Sequence, residues 1–300
     1  MWALERLKSL YEQCNASPPS VILTDRCLAC INAVDALFPS AVGLLCLWHA
    51  NKAVVSRWKL AFSETEWEEF FQFWHSIINS STEEIYEERL LAFQQKYADY
   101  RNEVGYIKTT WLIPYKKRLV KAWVDQYTHF CNIATSRVEG IHSLLKSYLK
   151  RSTFDLFEAW KAILHALLNQ LSELKSNQAK QQTRIPLELS GALYGVVRGW
   201  ISYEALRKVE EQRKLLSKRD FSSTSTCTGT FSRVYGLPSV HVLETLQEEA
   251  LLLDHFHSHW HLMRSGAPQL LLEPRQRIEP ARAQSSLPQS STRREPSLSK

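Results

Sequence analysis

The sequence predicts an α/β chain that is predominantly helical, and three observations predict it. Val21-Ile22-Leu23-Thr24 is a β-branched, apolar run between Pro18-Pro19 and Asp25-Arg26. Ala41 to His49 is a second such run, and near-continuous apolar character is what a strand buried on both faces requires. Between them Leu28, Ile31, Val34 and Leu37 recur at helical spacing until Pro39, so the segment is one crossover with two parallel, adjacent strands. After His49 the apolar residues recur every three or four positions, and the pattern turns wholly helical.

The elements follow in order. Trp2 to Gln13 reads as a helix with Leu4, Leu7, Leu10 and Tyr11 on one face, which starts the chain inside a fold. Asp25 then stands at the carboxyl end of the first strand, where ligands and metals sit in open α/β sheets. An Asp before a helix also serves as an N-cap, so position alone leaves both readings open. Ser63-x-x-Glu66 opens a helix carrying Trp67, Phe70, Phe71, Trp74 and Ile78. Ser81-x-x-Glu84 opens another with Tyr86, Leu90, Phe93 and Tyr97. A third runs around Ile107, Trp111 and Leu112 until Pro114, and a fourth takes up Leu119, Val120, Trp123 and Val124. In Thr135 to Leu149, the residues Ile141, Leu144, Leu145, Tyr148 and Leu149 form the face expected to be buried. Glu139, His142, Ser143 and Lys146 share another face. Ser136-x-x-Glu139 also matches a capping box. A long helix from Asp155 to about Lys175 ends in a polar, Gln-rich break at 176–183. A smaller C-terminal unit, 184–263, contains a helix from Tyr203 to about Lys218.

Composition bounds the partners. The net charge of +6 is uneven: residues 264–300 hold seven basic and three acidic residues, a net +4 in a Ser-, Pro- and Arg-rich tail expected to be disordered. Residues 64–103 hold ten acids against three bases, whereas 116–151 hold eight bases against two acids. That basic segment suits a polyanion, and it equally suits a solvated helix face. Six cysteines without a signal peptide suggest a reducing compartment, and Cys27-x-x-Cys30 reads as packing. No apolar run is long enough for a membrane span.

Thr24-Asp25-Arg26, the Phe38-Pro39 helix end and Leu45-Cys46-Leu47-Trp48-His49 together resemble the transposase domain of Mutator-like elements (MULE), a ribonuclease H-like family. The resemblance implies a partial ribonuclease H-like core over 1–175, two parallel strands remaining, with an all-helical insertion at about 57–130. It makes Asp25 the second of three metal-binding acids and Cys46 and His49 a Cys-x-x-His signature. It places the third acid at Glu139, in a Ser-Arg-x-Glu-Gly-x-His-x-x-x-Lys context that includes His142 and Lys146.

Magnesium or manganese would serve cleavage and strand transfer on DNA, at transposon ends and target. The expected DNA contacts are Lys116, Lys117, Arg118, Lys121, Arg137, Lys146, Lys150 and Arg151. A homo-oligomer in the nucleus, with no membrane partner, completes the expectation. The C-terminal unit resembles a SWIM-type zinc finger in Cys227 and His241. Gly229 and Ser239 stand where two further ligands belong, so the zinc site is incomplete even with the His255 to His261 run nearby. Only Glu5 and Glu12 precede Asp25 as carboxylates, so the first acid and its strands are expected to be missing and the chain to be truncated and inactive. The alternative is a non-catalytic, domesticated DNA-binding or regulatory protein.

Overall fold

The computed structural model describes residues 1–149, 155–218, 228–246 and 249–263, with backbone only at 136, 137, 217 and 218. Lys150, Arg151, Cys227 and the tail therefore lie outside the described residues. Those described belong to one unit, Met1–Met263. Strands β1 (Val21–Thr24) and β2 (Val42–Leu45) pair in parallel, in a register that sets Val21 opposite Val42 and Thr24 opposite Leu45. Helix α1 (Trp2–Gln13) precedes the sheet, and α2 (Leu28–Leu37) is the crossover.

The second strand is shorter than its apolar run. Its last ladder bond is Cys46 N–H to the Thr24 carbonyl at 2.8 Å, after which Leu47 N–H turns to the Ile133 carbonyl at 2.9 Å. With its partner strand ended, the chain enters α3 (Leu47–Trp58), so Trp48 and His49 are helical residues. Two amphipathic stripes are also less covered than their spacing implies. No residue of α1 is fully buried, and Leu28 of α2 is 62% exposed, in a first turn whose residues 28–30 all lie at the surface. The core side of α2 is instead Ile31, Ala33 and Val34.

Helices α4 (Glu64–Ile78), α5 (Glu83–Lys96), α6 (Arg101–Ile107), α7 (Ile113–Leu119) and α8 (Lys121–Val124) supply most of the core. Trp67, Phe70, Trp74, Tyr86, Phe93, Trp111 and Leu112 bury together with Ile31, Leu45, Ala50 and Val54, so the helical block and the sheet share one apolar cluster. The Ser63–Glu66 capping box forms as its sequence requires. The next cap is Thr82, one residue past Ser81, whose hydroxyl accepts from Ile85 N–H at 3.3 Å.

The helix expected to stop at Pro114 does not stop. A π segment, Lys108–Leu112, links α6 to α7 and lets the proline enter as one of the first residues of α7, where its missing N–H costs little.

Helices α9 (Ser136–Leu149) and α10 (Leu156–Thr183) pack against each other. The face of α9 expected to be buried is only partly covered, and Ile141 is exposed, because α10 is the element that covers it and α10 leaves its own stripe open. The Gln-rich 176–183 stretch is helix and not a break: Gln, Lys and Ala are good helix formers, and the glutamines anchor it. Gln178 donates to the Leu262 carbonyl and Gln181 accepts from Tyr203 N–H.

The C-terminal region has α11 (Tyr203–Lys218), α12 (Thr230–Tyr235) and α13 (Val240–Thr245) around a second cluster that includes Leu189, Tyr194, Val197, Leu206 and Phe256. Inside it Glu210 accepts from Tyr194 Oη at 2.7 Å and from both Nε and Nη2 of Arg213 at 2.8 and 2.7 Å. The Arg213 guanidinium holds the Glu210 carboxyl below the usual carboxylate range, and burial beside that carboxylate pushes the Tyr194 phenol up.

Candidate functional site

The site lies where the carboxyl ends of the two strands meet the first turn of α9. Asp25 follows the last residue of β1 and is exposed. Its Oδ1 accepts from Cys27 N–H at 3.1 Å, which ties the carboxylate to the turn before α2 while Cys27 occupies the N-cap. Asp25 therefore organises the turn and is not the cap itself.

Cys46 follows the last residue of β2 and is buried, and His49 lies in the first turn of α3. Both meet Thr135, the residue before α9. Thr135 N–H donates to Cys46 Sγ at 3.1 Å, and Thr135 Oγ1 lies 3.2 Å from Cys46 Sγ and 3.3 Å from His49 Nδ1. The Thr135 carbonyl in turn accepts from Val138 and Glu139 N–H at 2.9 and 3.1 Å.

A short relay thus runs from β1 through Cys46 and Thr135 to the backbone of Glu139. The Cys-x-x-His pair works as a clamp on the α9 entrance, with a backbone N–H as one of its partners. Helix α9 begins at Ser136, and the Ser136 capping box lies outside the description because that side chain is not described.

Glu139 is exposed in that first turn, with Oε2 3.9 Å from His142 Nδ1. Lys146 lies exposed further along α9. The relay brings the first turn of α9 to the end of the sheet at which Asp25 follows β1.

Arg26 is fixed separately: Nη1 donates to the Thr110 carbonyl at 3.4 Å, and the guanidinium lies 4.9 Å from the Trp111 ring. Pro114 offers no N–H to the preceding turn, which leaves carbonyls of the π segment open to such a donor. The sequence pattern did not single out Arg26, Thr135 or the π segment. The signals were the Pro114 interruption and the position of Thr135 directly before Ser-Arg-x-Glu.

The expected basic contacts divide. Lys116 lies over the Tyr86 and Trp123 rings and pairs with Glu87 at 3.1 Å and Glu83 at 3.6 Å. Burial, aided by Glu87, raises the Tyr86 phenol to about 12. Arg118 crosses Gly43 of β2 to reach Asp35 at 2.9 Å, so a Cβ at position 43 would meet its Nη1. These two cations serve the fold. Lys117 and Lys146 are exposed and Lys121 is half-buried, while the side chain of Arg137 is outside the description.

The zinc-finger expectation meets helices. His241 is on α13, with Nδ1 3.8 Å from Glu244 Oε2, and Gly229 and Ser239 each precede a helix. Of the histidine run, His255 Nδ1 accepts from Leu252 N–H, His257 Nδ1 accepts from His259 N–H, and His259 stacks on Phe130 at 3.9 Å. His257 also lies 5.1 Å from the Phe130 ring, so two of these histidines pack on one aromatic side chain. Among the described residues, one group of three or more His, Cys, Asp or Glu donors is close enough to share an ion: Asp25, Cys27 and Cys30.

The family model for the MULE transposase domain matches residues 1–53, which hold Asp25, Cys46 and His49 but not Glu139, His142 or Lys146. A PKS-NRPS hybrid synthetase, cheA, of Chaetomium globosum is 24% identical over 302 aligned residues. The alignment covers 88% of this chain and spans 6% of that curated relative. No solved structure matches. Residues 1–53, which carry the strand-end acid and the Cys-x-x-His pair, are thus similar to the MULE transposase domain.

Proposed function

We propose that the chain is a transposase-derived, DNA-binding protein of the nucleus, in which Asp25 and Glu139 hold one magnesium or manganese ion beside the nucleic acid. The observation that carries this reading is the Cys46–Thr135 clamp, which ties the first turn of α9 to the strand end next to Asp25. Bound there, such an ion supplies a positive centre for a phosphate oxygen. The protein's own part is to orient two carboxylates, with His142 beside Glu139 and Arg26 pinned by Trp111 next to Asp25.

Two acids with water and phosphate satisfy a single hard ion. In the resembled family cleavage and strand transfer take three acids, of which Asp25 and Glu139 match two; the activity proposed for these residues is metal-assisted DNA binding. Exposed Lys117 and Lys146 supply phosphate contacts, which position without reading sequence. The partial ribonuclease H-like core over 1–175 and assembly into a homo-oligomer on DNA belong to the same reading.

Fluorescence anisotropy on duplex DNA tests it. Binding should weaken steeply with salt and tighten with magnesium or manganese, and the metal-dependent gain should vanish in Asp25→Asn and Glu139→Gln. No binding at low salt would end the reading.

A further inference from the structure

Cys27-x-x-Cys30 has the spacing of a packing pair, yet neither thiol packs. Residues 25–30 are all exposed, and both cysteines are free. Cys27 is the N-cap of α2 and Cys30 lies three residues on, so the two sulfurs project from one turn. Asp25 closes the group: one ligand atom from each of the three residues lies within 4.8 Å of the others.

We infer that Asp25, Cys27 and Cys30 form a site for a thiophilic divalent cation, zinc or a chemical equivalent, with water at the fourth position. Tetrahedral zinc with Zn–S bonds of about 2.3 Å sets its sulfurs about 3.8 Å apart, so these donors need to close by no more than about 1 Å. An exposed turn makes that movement without disturbing a core. The donor set is soft where the Asp25–Glu139 pair is hard, so the two sites select different ions while sharing one carboxylate. A Cys-x-x-Cys pair with a carboxylate leaves one position open, as sites that take an exchangeable ligand do. Each thiol releases its proton to solvent on ligation, and no electron transfer is involved. Zinc here would withdraw Asp25 from the harder ion, making the site an inhibitory one.

Cobalt(II) as a spectroscopic stand-in, followed by zinc competition, tests this on the full chain kept reduced. The wild type should show a thiolate-to-cobalt charge-transfer band that one equivalent of zinc abolishes. The band should disappear in Cys27→Ser/Cys30→Ser, and Asp25→Asn should weaken zinc by at least about tenfold. Cys14→Ser and Cys131→Ser should leave both unchanged. No band in the wild type, or an unchanged band in the double serine variant, overturns the inference. Manganese binding reads the other site separately: it should survive in Cys27→Ser/Cys30→Ser, and zinc binding should survive in Glu139→Gln.

Discussion

Removing the sulfur of Cys46 should loosen the junction between the sheet and α9. Cys46 is 1% exposed, and in Cys46→Ala the sulfur's share of apolar burial goes, worth about 1 kcal/mol by analogy with a buried methylene. Thr135 N–H also loses its acceptor at a half-buried position, which costs about 1–2 kcal/mol. The expected loss on urea denaturation is therefore about 2–3 kcal/mol with the m-value unchanged. Thr135→Val removes the hydroxyl contacts to Cys46 and His49 and should cost about 1–1.5 kcal/mol. If the clamp is physical, the two changes are coupled, and the double variant should fall short of additivity by about 0.5–1 kcal/mol. Amide exchange at Val138 and Glu139 should accelerate in each single variant, since their acceptor is the Thr135 carbonyl. Additivity to within about 0.3 kcal/mol, with unchanged exchange at α9, would refute the clamp.

Three further outcomes follow from the packing. Glu210→Gln should destabilise by about 2–3 kcal/mol, since the buried partner of Arg213 and Tyr194 loses its charge. Because the folded Glu210 carboxyl is held below its ordinary range, its stabilisation is present above that range and lost as pH falls through the folded value. The variant should show a flatter acid limb in a stability-against-pH series, and an unchanged limb would count against the pair. Asn51→Ala strands the buried Trp74 Nε1–H, which now donates to Asn51 Oδ1 at 2.8 Å, and should cost about 1–3 kcal/mol in chemical denaturation. Phe130 and Cys131 both sit at positive φ, 50° and 61°, so Cys131→Val should lower the melting temperature while Cys131→Gly should not.

Much of this was legible in the residues because the relevant signals are local. The two parallel strands and their crossover follow from two short apolar runs around one helical stripe, and α4 follows from a capping box with aromatics on one face. What the pattern could not show depends on distant partners. The Leu47-Trp48-His49 stretch looks like strand until the ladder's end at Thr24 is known, because apolar runs do not mark where a partner stops. Pro114 reads as a terminator until a π segment absorbs it. Lys116 and Arg118 count as surface charge in composition, yet aromatic faces and acids far away in sequence claim them. Cys27 and Cys30 share the spacing of a core stripe, and only their exposure at the start of α2 shows that the core does not take them up. Asp25 and Glu139 are named by motif, but their relation depends on Thr135, which belongs to neither motif.

Manganese binding followed by electron paramagnetic resonance tests the pairing of these two acids most directly. One ion per chain should be sequestered, and Asp25→Asn and Glu139→Gln should each release it. The double variant should be no worse than the weaker single one, as expected of two groups on one ion. Sequestration that survives Glu139→Gln unchanged would separate α9 from the strand end and contradict the account.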